Sequence, residues 1–274
     1  MLQLYKAPYA DRAVLLDILE TEKARLLALI NDPRHWLAST YVEGWTVQDV
    51  VCHLVDETEQ YLRRSDMGGE GNPPQGMDLV SYQAKLRAAA RAHHSLPRDE
   101  AIARFALAES RMRDVFRALT EEQWDGVHIY HSLFGLLPVS SYPQLQIADY
   151  MLHRWDIEWG LGDKAATLDE NSAGALIGHV LNLWDYSFNR AAAEGVSMAY
   201  GIGTGGQHGG QWAVTVEDGE FRIEETEDLG GLRAIFRYRN AVDMVLTRFH
   251  RIAACEASGD PDEIRAARRL FSGL

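Results

Sequence analysis

The sequence predicts a mainly helical fold, a four-helix bundle over residues 1–195 followed by a small α/β domain over 196–274. Three observations lead there. Apolar residues recur at helical spacing through most of the first 195 residues. A glycine cluster at 195–211, GVSMAYGIGTGGQHGGQ, then halts the helical signal. The next stretch, QWAVTVEDGEFRIEE, alternates apolar and polar residues about Asp218-Gly219.

Taken in order, residues 10–31 form a first helix, with Val14, Leu15, Ile18, Leu19, Leu26, Leu27 and Ile30 at helical spacing. Thr46, with Asp49 three residues on, gives a capping-box pattern, so a second helix is expected over 47–64 with His53 in its second turn. MGGEGNPPQG at 67–76 reads as a loop. Helices follow at 80–94 and 98–119, the latter with Ile102, Phe105, Ala108, Met112, Val115 and Phe116 on one face. His93 and His94 close the former as surface residues, of the kind that meet exposed carbonyls. Residues 124–140 alternate and break at Gly135 and Pro138, which suggests a short extended excursion. Its His128 and His131 are read first as structural histidines, with His131 kept as a candidate general acid or base.

A helix over 142–161 tolerates Pro143 in its first turn and stops near Gly162. Another is expected over 170–194 through Leu176, Val180, Leu183 and Trp184, which could make a bundle with the first, second and 142–161 helices, and the helices at 80–94 and 98–119 are also expected to pack in the bundle. The glycine cluster lacks the lysine and the strand-to-helix setting of a phosphate loop, and reads as a flexible connector. Beyond the Asp218-Gly219 hairpin come a third strand in RAIFRYR, a helix in AVDMVLTRFHRI, and a last helix in DPDEIRAARRLF capped by Asp260 or Asp262.

A formal charge of −13 over 274 residues argues against nucleic acid as a partner, because phosphate backbones are met by clustered Lys and Arg. Two cysteines, Cys52 and Cys255, do not make a disulfide framework and fit a reducing compartment, with Cys52 read as core packing. MLQLYKAPYADR lacks the apolar core of a secretory signal, and no apolar run reaches membrane-spanning length, so the cytoplasm is the expected location and a membrane is not an expected partner.

The chemistry-bearing pattern joins two distant segments, GWTVQDVVCHL at 44–54 and IADYMLHRWDIEWGLG at 147–162. Asp149 and His153, four apart, share one helix face and can share an ion; His53 would complete the set from a second helix. Two imidazoles and a carboxylate suit Zn²⁺ or another divalent metal, and three protein ligands leave a coordination position open. Asp156, three residues beyond His153, could orient that imidazole or take the place of Asp149 as ligand; the orienting role is favoured. Trp155 lies near His153 and could border a ligand, although Trp155 and Trp159 at four-residue spacing more often mark a core.

These segments resemble the mycothiol-dependent maleylpyruvate isomerase family of the DinB-like superfamily. Gly44, Trp45, Thr46, Asp49, His53 and Leu54 fit its first motif, and His153, Asp156, Ile157, Leu161 and Gly162 its second. Asp149 departs from it, standing where the family usually has Glu. The resemblance continues into a sterol-carrier-like tail, through W-x-V-x-x-x-D-G, residues 243–251 and the Gly259-Asp260 turn. It implies a DinB-like metal-binding bundle, a sterol-carrier-like α/β domain, and mycothiol or a similar low-molecular-weight thiol as cofactor. It also implies that Arg251 pairs with a substrate or thiol carboxylate, at a position where members often carry Gly-Arg and this chain has His250-Arg251. The implied activity is cis-trans isomerisation or S-transfer on a small electrophilic or anionic substrate. A non-catalytic small-molecule binder on the same scaffold, and metal-assisted hydrolysis, are the alternatives.

Overall fold

The computed structural model describes residues 11–66, 79–272 and 274. The stretch at 67–76 that was expected to be a loop lies outside them, as do the opening ten residues. The chain divides into two compact units, Asp11–Thr167 and the unit containing Leu168–Leu274.

The first unit holds α1 (Arg12–Ile30), α2 (Val47–Asp66), α3 (Leu79–Ala92), α4 (Arg98–Ala118), the short α5 (Glu121–Gly126), a hairpin of β1 (His128–His131) and β2 (Gly135–Pro138), and α6 (Tyr142–Gly160). Four of these helices close a ring: α1 lies along α6, α2 along α4, and the pairs α1–α4 and α2–α6 complete it. Leu15, Leu19, Leu26 and Ile30 of α1, Val50, Val51 and Leu54 of α2, Phe105, Met112 and Phe116 of α4, and Ile147 and Met151 of α6 are buried inside. Removing these side chains from water is the main stabilising term. α2 begins as expected: Thr46 N donates to Asp49 Oδ2 at 2.8 Å, and Asp49 N donates back to Thr46 Oγ1 at 3.4 Å. His93 and His94 pair with carboxylates of α2 rather than with carbonyls, His94 Nε2 lying 2.8 Å from Asp49 Oδ1 and His93 Nε2 3.7 Å from Asp56 Oδ1. The excursion at 124–140 resolves into α5, with its own Thr120/Gln123 capping box, and the β1–β2 hairpin.

The fourth bundle helix is α4, not the segment at 170–194. That segment breaks into α7 (Glu170–Ala175), α8 (Ile177–Asn182) and α9 (Trp184–Ser187), and belongs to the second unit. Gly174 and Gly178 each weaken a continuous helix by about 1 kcal/mol, and at Leu176 the chain tightens to a three-residue hydrogen bond onto Ala173 O. Gly174 also admits a close approach, since a Cβ there would stand 2.4 Å from the His208 ring. The division between units therefore falls at 167/168 rather than at 195/196.

The second unit continues with β3 (Ser197–Thr204), β4 (Gly210–Glu217), β5 (Glu220–Glu225), β6 (Ala234–Tyr238), α10 (Ala241–Arg248), β7 (Cys255–Gly259) and α11 (Pro261–Leu270). The sheet order is β5-β4-β3-β6-β7, antiparallel except for the β3–β6 pair. The hairpin at Asp218-Gly219 is as expected, with both residues at positive φ (47° and 80°) and Glu217 opposite Glu220. The flexible connector is not there: half of the glycine cluster is β3, the central strand. Its glycines are packed, for a Cβ on Gly201 would meet Leu229 at 3.0 Å and one on Gly203 would meet Arg237 at 3.4 Å. Asp260 caps α11, accepting from Asp262 N. Among the described residues no helix is long and apolar enough to cross a membrane.

Candidate metal centre

Two helices of the first unit build the site. His53 sits in the second turn of α2, fixed by the capping box at its start, while Asp149 and His153 lie one turn apart on α6. Each of the three offers one ligand atom, and these atoms all lie within 4.8 Å of one another. His53 is 3 % exposed, and among the described residues its Nδ1 has no hydrogen-bond partner. A buried nitrogen without a partner is costly unless something else engages it. Burial, followed by His153 and Lys85, holds the His53 imidazole well below its usual range, so it is neutral with a lone pair to give. His153 Nδ1 faces Asp156 Oδ2 at 3.1 Å. Asp156 is fully buried, and this contact engages Nδ1 of His153, as the orienting role expected of Asp156 requires.

Trp45 walls the cluster. Its ring stacks on His153 (centroids 6.0 Å, 14°) and meets His53 edge-on (5.6 Å, 69°), so both imidazoles are held by one buried aromatic. Trp155, expected to border a ligand, packs elsewhere: against Tyr41 at 5.0 Å and Trp159 at 5.0 Å, with its indole N–H donated to Ala166 O at 2.9 Å. Two residues beyond His153 is about 200° around a helix, which places it on the opposite face. His131 is buried, and its Nδ1 accepts from the backbone N–H groups of Leu133 (3.1 Å) and Phe134 (3.2 Å), closing the β1–β2 turn. Arg251 belongs to the second unit, where it is half-buried and Nη1 donates to Phe249 O at 2.6 Å. Cys52 is buried, with its thiol pushed up to about 11 by desolvation, in keeping with a packing role.

Glu57 is a further candidate for the site that the sequence reading missed. It follows His53 by four on α2, is 3 % exposed, and its Oε1 has no hydrogen-bond partner among the described residues. Burial raises its carboxyl to about 7, with Lys85 acting against this and Asp149 adding to it. The available signal was the spacing: His53-x-x-x-Glu57 repeats the four-residue interval of Asp149-x-x-x-His153.

The profile of the mycothiol maleylpyruvate isomerase N-terminal domain matches residues 17–158, which hold the whole cluster. The chain belongs to the mycothiol maleylpyruvate isomerase family. Two solved structures share the fold of this family member over most of both chains. A mutant of mycothiol-dependent maleylpyruvate isomerase aligns at 11 % identity and TM-score 0.59, and the isomerase itself at 12 % and 0.57, each covering 92 % of this chain and 95 % of the other. The colibactin self-resistance protein ClbS in complex with a dsDNA aligns at 12 % identity and TM-score 0.48, covering 57 % of this chain and 99 % of its own. No curated protein matches the sequence significantly. The expectation that nucleic acid is not a partner rests on charge alone.

Proposed function

We propose that this family member is a divalent-metal-dependent enzyme that uses a low-molecular-weight thiol of the mycothiol type, either to isomerise a cis double bond or to transfer sulfur to a small electrophile. The observation that carries the reading is the convergence of the ligand atoms of His53, Asp149 and His153 within 4.8 Å. The donor set fits Zn²⁺ or a similar ion: two imidazoles, one carboxylate, and a buried His53 nitrogen with no protein partner. A bound divalent ion would favour thiolate over thiol at neutral pH. The protein's part is then to hold and exclude. Trp45 fixes both imidazoles and keeps water from one side, Asp156 fixes the tautomer of His153, and Glu57, its carboxyl raised to about 7, can take up or release a proton beside the cluster. Arg251 remains the residue that the family resemblance nominates for a substrate or thiol carboxylate.

Elemental mass spectrometry of the purified wild type, His53→Ala and His153→Ala tests the reading, followed by activity assays with and without added thiol. Near-stoichiometric metal in the wild type, lost in both variants with the helical circular dichroism intact, is expected, together with a strict need for thiol. A wild type that stays empty after incubation with Zn²⁺ would leave a binding protein; activity indifferent to thiol would favour metal-assisted hydrolysis.

A further inference from the structure

From His53 onward, the face of α2 that carries it is polar. His53, Glu57, Gln60 and Arg64 follow one another at intervals of four, three and four, the spacing at which a packed helix ordinarily presents apolar residues. Past Glu57, this stripe meets α3 and the β1–β2 turn, and two cations converge there on the same pair of uncharged acceptors. Arg64 Nη2 donates to Gln60 Oε1 at 2.7 Å and to Ser132 Oγ at 3.0 Å. Lys85 Nζ donates to the same two atoms, at 2.9 Å and 2.8 Å. Arg64 Nη1 is anchored on Tyr130 O at 3.0 Å.

An amide oxygen and a hydroxyl cannot balance two positive charges, and like charges held this close in a partly dry site repel. Among the described residues Lys85 forms an ion pair with Glu57, at 3.9 Å and so outside hydrogen-bond range, with Asp56 acting on it from further away, so two cations face a single carboxylate at ion-pair distance. The cluster therefore keeps a positive excess in a chain whose net charge is −13. It is also reachable: Lys85 and Arg64 are half-buried, whereas Ser132 and Glu57 behind them are buried. Ser132 Oγ accepts from both cations, which leaves its own proton to donate outward.

We propose that Arg64, Lys85 and Ser132 form a carboxylate-binding subsite beside the metal ligands, one that takes a carboxylate of a small organic acid. The two cations share acceptors, so one carboxylate can bridge them, with the guanidinium fork and the ammonium each meeting an oxygen. This deepens the proposed function and rests on it for what stands at the neighbouring metal: a small electrophile held by its carboxylate at Arg64 and Lys85 would present its unsaturated carbon toward the His53 end of the stripe.

Calorimetric titration of maleate, a small cis-dicarboxylate, into metal-free protein tests this without any turnover. Maleate is expected to bind the wild type and His53→Ala alike, with dimethyl maleate failing to bind either. Lys85→Met and Arg64→Met should each weaken maleate about tenfold or more, the scale of one lost charge-assisted hydrogen bond, while metal content stays at the wild-type level. Lys85→Gln, which keeps a donor for Ser132, serves where the methionine variant loses its fold, and the same weakening is expected of it. Equal maleate affinity in the wild type and the Lys85 variants overturns the subsite, as does an absence of maleate binding to the wild type. Intact maleate binding in a protein that never takes up metal would sink the metalloenzyme reading and spare the subsite.

Discussion

Glu57 shows how one residue's surroundings set a measurable property of the whole chain. A carboxyl raised from 4.5 to about 7 stays protonated in the fold over a pH range where the unfolded chain has already ionised. The unfolded state therefore binds fewer protons, and stability falls as pH rises from about 4.5 through about 7. A glutamine in its place has no proton to lose, so the stability difference between metal-free wild type and Glu57→Gln should decline across that window by up to about 3 kcal/mol. Urea denaturation of both proteins at several pH values measures it, and a difference that does not vary with pH would put Glu57 in contact with water. The candidate metal ligands His53, Asp149 and His153 could be picked out mainly because the segments around them resemble a known family; carboxylate and imidazole at four-residue spacing alone more often mark a cap or a surface pair. Glu57, Gln60 and Arg64 were not, because polar residues at helical spacing read as a solvated face until the partner elements are known. Trp45 could be read as part of a motif, but its stacking on His153 depends on where α6 passes α2.

At the scale of elements, pattern and capping identified most helices, and two of the failures, β3 and the broken segment at 170–194, trace to glycine. β3 reads as a connector because its alternation, Tyr200-Gly201-Ile202-Gly203, hides one face behind glycines that make room for Leu229 and Arg237. β7 carries small and charged residues and is recognisable as a strand only through its pairing with β6. The end of α10 gives the reverse case, a glycine position without its glycine. Arg251 N donates to Leu246 O at 2.8 Å and His250 N to Thr247 O at 3.0 Å, a Schellman closure that sets His250 at φ 58°. Family members often carry Gly there, which adopts that conformation without the Cβ clash. His250→Gly and His250→Ala both delete the imidazole, so their difference isolates the backbone term. The glycine variant should be the more stable by about 1 kcal/mol, seen as a melting temperature several degrees higher. The opposite order would mean that the turn at 249–251 relaxes when the histidine is removed.

On the scale of the molecule, the question is which residues fold together. The glycine cluster suggested a cut at 195/196, yet α7, α8 and α9 are bound into the unit that holds the sheet. Trp184 Nε1 donates to Tyr200 OH at 3.0 Å, Arg248 Nη2 donates to Leu183 O at 2.8 Å, and Asn189 N donates to Leu270 O at 2.7 Å. Leu176, Ile177, Val180, Leu181 and Trp184 are all buried there. At about 1.5–3 kcal/mol for each large apolar side chain, their removal would cost a sum comparable with the whole stability of a small domain. A fragment of residues 168–274 should therefore melt cooperatively, whereas one of 196–274 should not. The fragment of residues 11–167 contains His53, Asp149, His153 and Asp156, so it should bind metal with the stoichiometry of the intact chain. Thermal melts by circular dichroism and elemental analysis of the three fragments measure both points. A cooperative melt in the 196–274 fragment would restore the boundary at the glycine cluster. Loss of metal from the 11–167 fragment while it stays helical would mean that the centre needs more than the three ligands α2 and α6 supply.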